Sequence, residues 1–275
     1  QSIYLSAVNI FLFITAFLGN SPILAALHKE SSLHPPSKLL YRCLATTDLL
    51  VGLVSQPLTA TYWMSLVHRQ WNLSRYVSKV VVIASYTLCV VSLLTMTAIS
   101  LDRLLALLLG LRYKQIVNLK RVYIALALFW VVPIVDTLYF VFVSPIPPCL
   151  GRVIIPSCLL ISVASYIKIF RTLSRHQAQQ QPSQPSALNM ARYKKAVYSA
   201  LWVQSALVVC FVPVSIVLTV MARTKTYSPL LMVTREIAIT FSYFSSTLNP
   251  FLYCWKIHEV RRAVKQTIRQ VMCCP

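Results

Sequence analysis

The chain has 275 residues, of which 57% are hydrophobic and 12% charged, against roughly 45 to 50% and about 25% in soluble domains. That balance excludes a single water-soluble globule. The net charge of +20 would suit nucleic acid, but the basic residues fall between long apolar stretches, so no nucleic-acid partner is expected and the bilayer is the solvent for most of the chain.

Seven stretches are long enough to cross a hydrocarbon core about 30 Å thick: 4–27, 39–66, 77–109, 121–143, 153–173, 194–221 and 229–255. Within lipid their backbone groups must be satisfied by helical hydrogen bonds. The expected fold is an all-α membrane protein, a seven-helix bundle over 1–255. Gln1 is not an initiator and few residues precede the first span, so the chain is expected to be trimmed of an extracellular leader, and no signal peptide can be read. The first span carries Gly19-Asn20 and the second carries Asp48 within LATTDLLVGL. Asn72-Leu73-Ser74 forms a glycosylation sequon between spans two and three. The third span holds Ser92 and ends in the adjacent charges Asp102 and Arg103; the fourth holds Trp130. Only 26 positions separate Trp130 from Pro156, so the connection around 144–151, which includes Cys149, is very short.

The fifth span leads through Tyr166 to a Gln-, Pro- and Ser-rich run, about 176–191, read as a flexible loop. Pro213 and Pro250 lie inside the sixth and seventh spans, where they remove backbone hydrogen bonds and bend the helix. Segment 256–275 has Ile257, Val260, Val264, Ile268 and Val271 at helical spacing with basic residues between them, an amphipathic helix lying at the membrane lipid interface. It ends in Cys273 and Cys274, a setting for palmitoylation. Of the 26 Lys and Arg, 19 gather on one side of the membrane and 7 on the other. The positive-inside rule makes the richer side cytoplasmic, so the amino terminus is expected outside and the carboxyl terminus inside.

An acid in hydrocarbon costs roughly 2.5 to 3.5 kcal/mol on insertion scales. Asp48 lies at a depth shared with Asn20, Ser92, Ser245, Ser246 and Asn249. These residues suit either a hydrogen-bonded packing network or an oxygen-lined sodium site. Asp102 can neutralise Arg103 at the helix end. No enzyme is expected: His258-Glu259 begins a zinc motif that Arg262 leaves incomplete. An ion-coupled transporter or channel using Asp48 is the alternative, although no internal repeat is visible.

In order and spacing, the chain resembles a rhodopsin-like (class A) G-protein-coupled receptor throughout. The resemblance rests on Gly19-Asn20, Leu44 with Asp48, Asp102-Arg103 followed by LRYKQIV, Trp130, YIKIF from Tyr166, CFVP at 210–213 and NPFLY at 249–253. It implies an extracellular ligand, a heterotrimeric G protein at the inner end, a plasma-membrane location, and no cofactor beyond sodium as a modulator. Arg103 would be released from Asp102 to meet the G protein, supported by Tyr166 and Tyr253. Asp48, Ser92, Ser245 and Asn249 would hold sodium. The ligand would meet Ser85, Tyr86, Cys89, Phe211, Ser215, Ile239, Ser242 and Tyr243, with Arg235 and Glu236 at the mouth.

The departures from the family pattern are specific. Leu104 follows the Asp-Arg pair in place of Tyr, Phe211 replaces Trp, Leu207 replaces Phe, and Tyr193 stands where some members place an acid that clamps Arg103. Ser85 takes the place of the Asp that pairs with amines, so a conventional amine is disfavoured, and Tyr243 replaces the retinal-linking Lys of opsins. Ser78 replaces the cysteine that ties the third helix to the second outer loop. A short, unclamped loop resembles melanocortin and some lipid receptors; the implied neighbourhood is the melanocortin, adenosine and lipid receptor group, and the implied ligand is a lipid, nucleoside or peptide.

Overall fold

The computed structural model describes residues 2–29, 33–143, 149–178, 186–224, 228–256, 261, 262 and 264, with side chains described for these except 29, 111, 149, 176–178, 186–204, 229 and 251–256. Its helices are α1 (Ser2–Lys29), α2 (Pro35–Leu50), α3 (Gln56–Val67), α4 (Trp71–Leu109), α5 (Tyr113–Ile116), α6 (Leu119–Phe142), α7 (Cys149–Ala178), α8 (Ser186–Thr224) and α9 (Pro229–Lys256). A π-helical turn, Val51–Ser55, joins α2 to α3 into one spanning rod.

Six of these segments are long and apolar enough to cross a membrane. The seventh, α9, is equally long but more polar, because Ser242, Ser245, Ser246, Thr247 and Asn249 turn into the bundle and are buried. The exterior is the reverse: Phe11, Leu18, Val131, Val135, Leu160 and Ile216 are exposed. Apolar outside and polar inside is the pattern of a chain whose solvent is lipid. This is a multi-pass membrane protein.

The 39 residues of α4 span about 58 Å at 1.5 Å per residue and form the centre, packing against α2, α3, α6 and α7. A ring closes around the interior through α1 with α3 and α9, α8 with α9, and α7 with α8, while α6 lies outside α4. Close approach has residue-level causes. A Cβ on Gly19 would fall 2.8 Å from Pro250 Cγ, so α1 meets the proline of α9 at a glycine. The π turn precedes Pro57, and the Gln56 amide bonds back to the Val51 carbonyl across it; the extra residue turns Gln56 and Thr59 into the interior, where both are buried.

Two expectations need adjusting. The supposed flexible loop 176–191 is helical at both ends, since α7 continues to Ala178 and α8 begins at Ser186. Ala187, Leu188, Met190, Ala191 and Arg192 are strong helix formers and outweigh the polar composition before them. The sequon lies in the first turn of α4, with Ser74 buried and its hydroxyl donating to the Trp71 carbonyl at 2.9 Å. The connection between α6 and α7 is as short as expected, the helices ending at Phe142 and restarting at Cys149. Of the carboxyl-terminal segment, Arg261 and Arg262 are exposed and Val264 is buried; Cys273 and Cys274 lie outside the described residues.

Candidate functional site

A cavity of about 370 Å³ opens near the end of the bundle at which α4 begins. Its walls come from the first half of α4, the starts of α7 and α9, the last turns of α8, Tyr62 of α3 and Phe140 of α6. Val82, Val90, Phe140, Ile155, Phe211, Val214, Leu218 and Met221 make it mostly apolar, which suits a ligand with a large apolar body. Few polar groups interrupt that wall. Tyr243 is wholly buried and donates to Ser85 Oγ at 2.5 Å, with Thr59 Oγ1 3.5 Å from its hydroxyl. Cys89 Sγ and Ser242 Oγ lie 3.8 Å apart. At the mouth Arg235 engages its neighbour Glu236, with Nε 2.8 Å from the carboxylate. Tyr86 crosses from α4 to α6 and donates to Asp136 Oδ2 at 2.6 Å.

Midway along the bundle Asp48 is fully buried. It accepts from Ser92 Oγ at 3.1 Å and Asn249 Nδ2 at 2.7 Å, with Ser246 beside it. Asn20 donates to the carbonyls of Ala16 and Ser246 at 2.9 and 3.0 Å, tying α1 to α9. Ser245 turns away and donates to the Ser242 carbonyl at 2.7 Å. As arranged, Ser92 and Asn249 present donors to Asp48 and tie α4 and α9 to α2.

At the far end of α4, Asp102 is buried and accepts from Tyr113 Oη at 2.5 Å and Ser37 Oγ at 2.9 Å. Arg103 turns elsewhere, donating to Tyr41 Oη at 2.9 Å with its guanidinium carbon 5.5 Å from that ring's centre. Among the described residues no Asp102–Arg103 ion pair forms, because each side chain takes its own partner across the bundle. Burial, and then the Asp102 carboxylate, push the Tyr113 phenol up to about 12. Tyr166 is buried with Ile169 and Leu173, against Leu104 and Leu107.

The described family of seven-transmembrane receptors (rhodopsin family) matches residues 19–148 and 146–253. The chain belongs to that family. The receptor is 27% identical to the histamine H2 receptor of Cavia porcellus, over 98% of this chain and 79% of that protein. It is 28% identical to the histamine H2 receptor of Canis lupus familiaris, over 97% and 80%, and 26% identical to trace amine-associated receptor 5 of Rattus norvegicus, over 94% and 82%. These relatives are receptors and not enzymes, and so is this chain. None of the three is a melanocortin, adenosine or lipid receptor by name, so that grouping gains no support.

Seven of the eight expected ligand-facing residues of the receptor line the cavity: Ser85, Tyr86, Cys89, Phe211, Ile239, Ser242 and Tyr243. Ser215 does not. It sits to one side of the α8 stripe formed by Phe211, Val214, Leu218 and Met221, and its carbonyl accepts from Thr219. Asp48, Ser92 and Asn249 meet, whereas the Ser245 hydroxyl is turned from them. The side chains of Tyr253 and Tyr193 lie outside the described residues. Sequence reasoning missed Asp136, although the cost argument applied to Asp48 applies equally to any acid inside the span 121–143. It also missed Tyr113 and Ser37 as partners of Asp102, which have no local signal because they lie 11 and 65 residues away.

Proposed function

We propose that this receptor lies in the plasma membrane with its amino terminus outside, binds a small extracellular ligand in the cavity between α3, α4, α7, α8 and α9, and activates a heterotrimeric G protein at the Arg103 end. The observation that carries this reading is the placement of both sites on one helix. Ser85 of the cavity and Arg103 are eighteen residues apart on α4, about 27 Å. A ligand cannot reach Arg103 from the cavity, so it acts by biasing two arrangements of the bundle. The bends at Pro213 and Pro250 supply the hinges, Tyr166 and Tyr253 support Arg103, and Cys273 and Cys274 anchor the tail through acyl chains.

The ligand is small and mainly apolar, with its polar atoms read by Ser85, Tyr86, Ser242 and Tyr243. A lipid or nucleoside fits that wall; a peptide enters a cavity of about 370 Å³ only by one end. The names of the relatives favour a second reading, an amine, which would not be held in the conventional way because Ser85 offers no anion. Sodium is a negative modulator in this account. It binds at Asp48 in the resting arrangement once Asn249 presents its amide oxygen, with Ser92 and Ser245 contributing hydroxyls. A ligand library tested on the reconstituted receptor with several purified G proteins is the experiment. Ligand-dependent nucleotide exchange supports the reading, and ligand-dependent ion flux with no exchange would replace it by the transporter alternative.

A further inference from the structure

Three acids are relevant to what the cavity can recognise, and two are already committed. Glu236 is paired with Arg235, and Asp48 sits deeper, in its own network. The third is Asp136 of α6, inside the spanning segment Leu119–Phe142 and only half-buried. An acid at that depth costs roughly 2.5 to 3.5 kcal/mol to insert and calls for a function or a partner. Among the described residues the salt bridge is Arg235 with Glu236, and no basic side chain lies within ion-pair distance of Asp136. The Tyr86 hydroxyl donates to it at 2.6 Å.

We propose that Tyr86 backed by Asp136 is the cation-recognition point of this receptor, and that the ligand is a protonated amine carrying an apolar body. This rests on the reading of the cavity as the ligand site and names the ligand class for it. Tyr86 lines the cavity. A phenol oxygen accepts as well as donates, so an ammonium N–H at the wall donates to Tyr86 Oη while that oxygen donates to the carboxylate behind it. Each bond in such a chain polarises the next. The anion thus reaches the cavity through one side chain, from α6 rather than from the α4 position that Ser85 occupies.

A second element is shaped for the same contact. Gly151 of α7 also lines the cavity, and a Cβ there would fall 2.6 Å from Tyr86 Cε2 and 2.7 Å from its hydroxyl oxygen. The missing side chain is what lets Tyr86 lie across to Asp136. Gly151 is therefore a positioning residue for the pair. The remaining cavity wall supplies the apolar complement. Arg152 of α7 also lines the cavity, so an anionic probe is tested beside the amine.

The test uses the full chain in nanodiscs and three probes that share a phenylethyl body: 2-phenylethylamine, neutral 2-phenylethanol and anionic 3-phenylpropionate. Binding is measured by competition or thermal shift on the parent, Asp136→Asn, Tyr86→Phe and Val214→Trp receptors. The expected result is that the amine binds tightest to the parent. Asp136→Asn and Tyr86→Phe each then weaken it at least about tenfold, the loss of a charge-assisted hydrogen bond, and Asp136→Asn weakens phenylethanol much less than the amine. Asp136→Glu should recover part of the amine affinity, which a merely structural role would not predict. The proposal is overturned if the parent binds none of the amine at millimolar concentration, if it prefers the phenylpropionate, or if both substitutions leave amine binding intact in folded protein. Val214→Trp, which fills the cavity, distinguishes the failures: amine binding lost there but unaffected by Asp136→Asn removes this inference alone, and binding unaffected by either removes the cavity reading as well.

Discussion

Replacing Tyr113 by Phe removes one oxygen and leaves the ring, so it probes the tie at the Arg103 end with little loss of packing. Asp102 is 5% exposed and accepts from two hydroxyls, Tyr113 at 2.5 Å and Ser37 at 2.9 Å. Hydrogen bonds to a charged group are worth roughly 1.5 to 3 kcal/mol net. Because Ser37 still donates to Asp102 in the variant, the lower figure applies. A shift of about 1.5 kcal/mol is slightly more than tenfold in an equilibrium. A receptor resting with about 1% of molecules active would rise to roughly 10%. The assay is ligand-free nucleotide exchange by reconstituted protein, normalised to folded receptor. Ser37→Ala should move it the same way by less, since its bond is longer, and the double variant should exceed either. The phenol adds a pH check. Its value is raised from 10.0 to about 12, so the stabilisation held by its protonated form is complete below about pH 10 and lost as pH rises through about 12. The Phe variant should lack that loss of thermal stability. Basal exchange and melting temperature both unchanged in Tyr113→Phe would refute the idea that this tie holds the resting state.

Gly19→Ala should lower the melting temperature, because its Cβ would lie 2.8 Å from Pro250 Cγ and overpacking of this kind costs roughly 1 to 3 kcal/mol; a stability equal to the parent would show that α1 and α9 can separate freely. Replacing sodium by a bulky organic cation should raise agonist affinity, and Asp48→Asn should abolish the difference; equal affinity in both salts for the parent excludes a cation at Asp48. With Ser78 at the outer position of α4, ligand binding should survive mild reductant. Loss of binding under reductant, abolished by Cys149→Ser, would reveal a disulfide, which typically contributes roughly 2 to 4 kcal/mol.

The spans were legible because lipid imposes one rule on every residue in them, and the motif positions because their spacing spans the whole chain. What escaped was decided by orientation and by distance along the chain. Ser215 shares the sixth span with Phe211 but sits to one side of the stripe that faces the cavity, a rotation no composition reveals. Asp102 and Arg103 are neighbours in sequence and part in space because their partners are set by the tertiary fold, Tyr113 with Ser37 for one and Tyr41 for the other. The π turn at Val51–Ser55 inserts one residue into a helix without altering its apolar character. Asp136 was readable as an intramembrane acid, but its meaning depends on Tyr86 of another helix and on the bare backbone of Gly151.

The central claim is that a ligand held at one end of α4 controls what Arg103 does at the other. Its most direct test is ligand-stimulated nucleotide exchange on a purified G protein by the reconstituted parent and by Arg103→Ala, with ligand binding measured on the same samples. The account predicts exchange by the parent, and in the variant unchanged ligand affinity with exchange reduced to background, since Arg103 lies thirteen residues along α4 beyond Val90 of the cavity wall, about 20 Å. A folded Arg103→Ala receptor that binds ligand and drives exchange at the parental rate would contradict it.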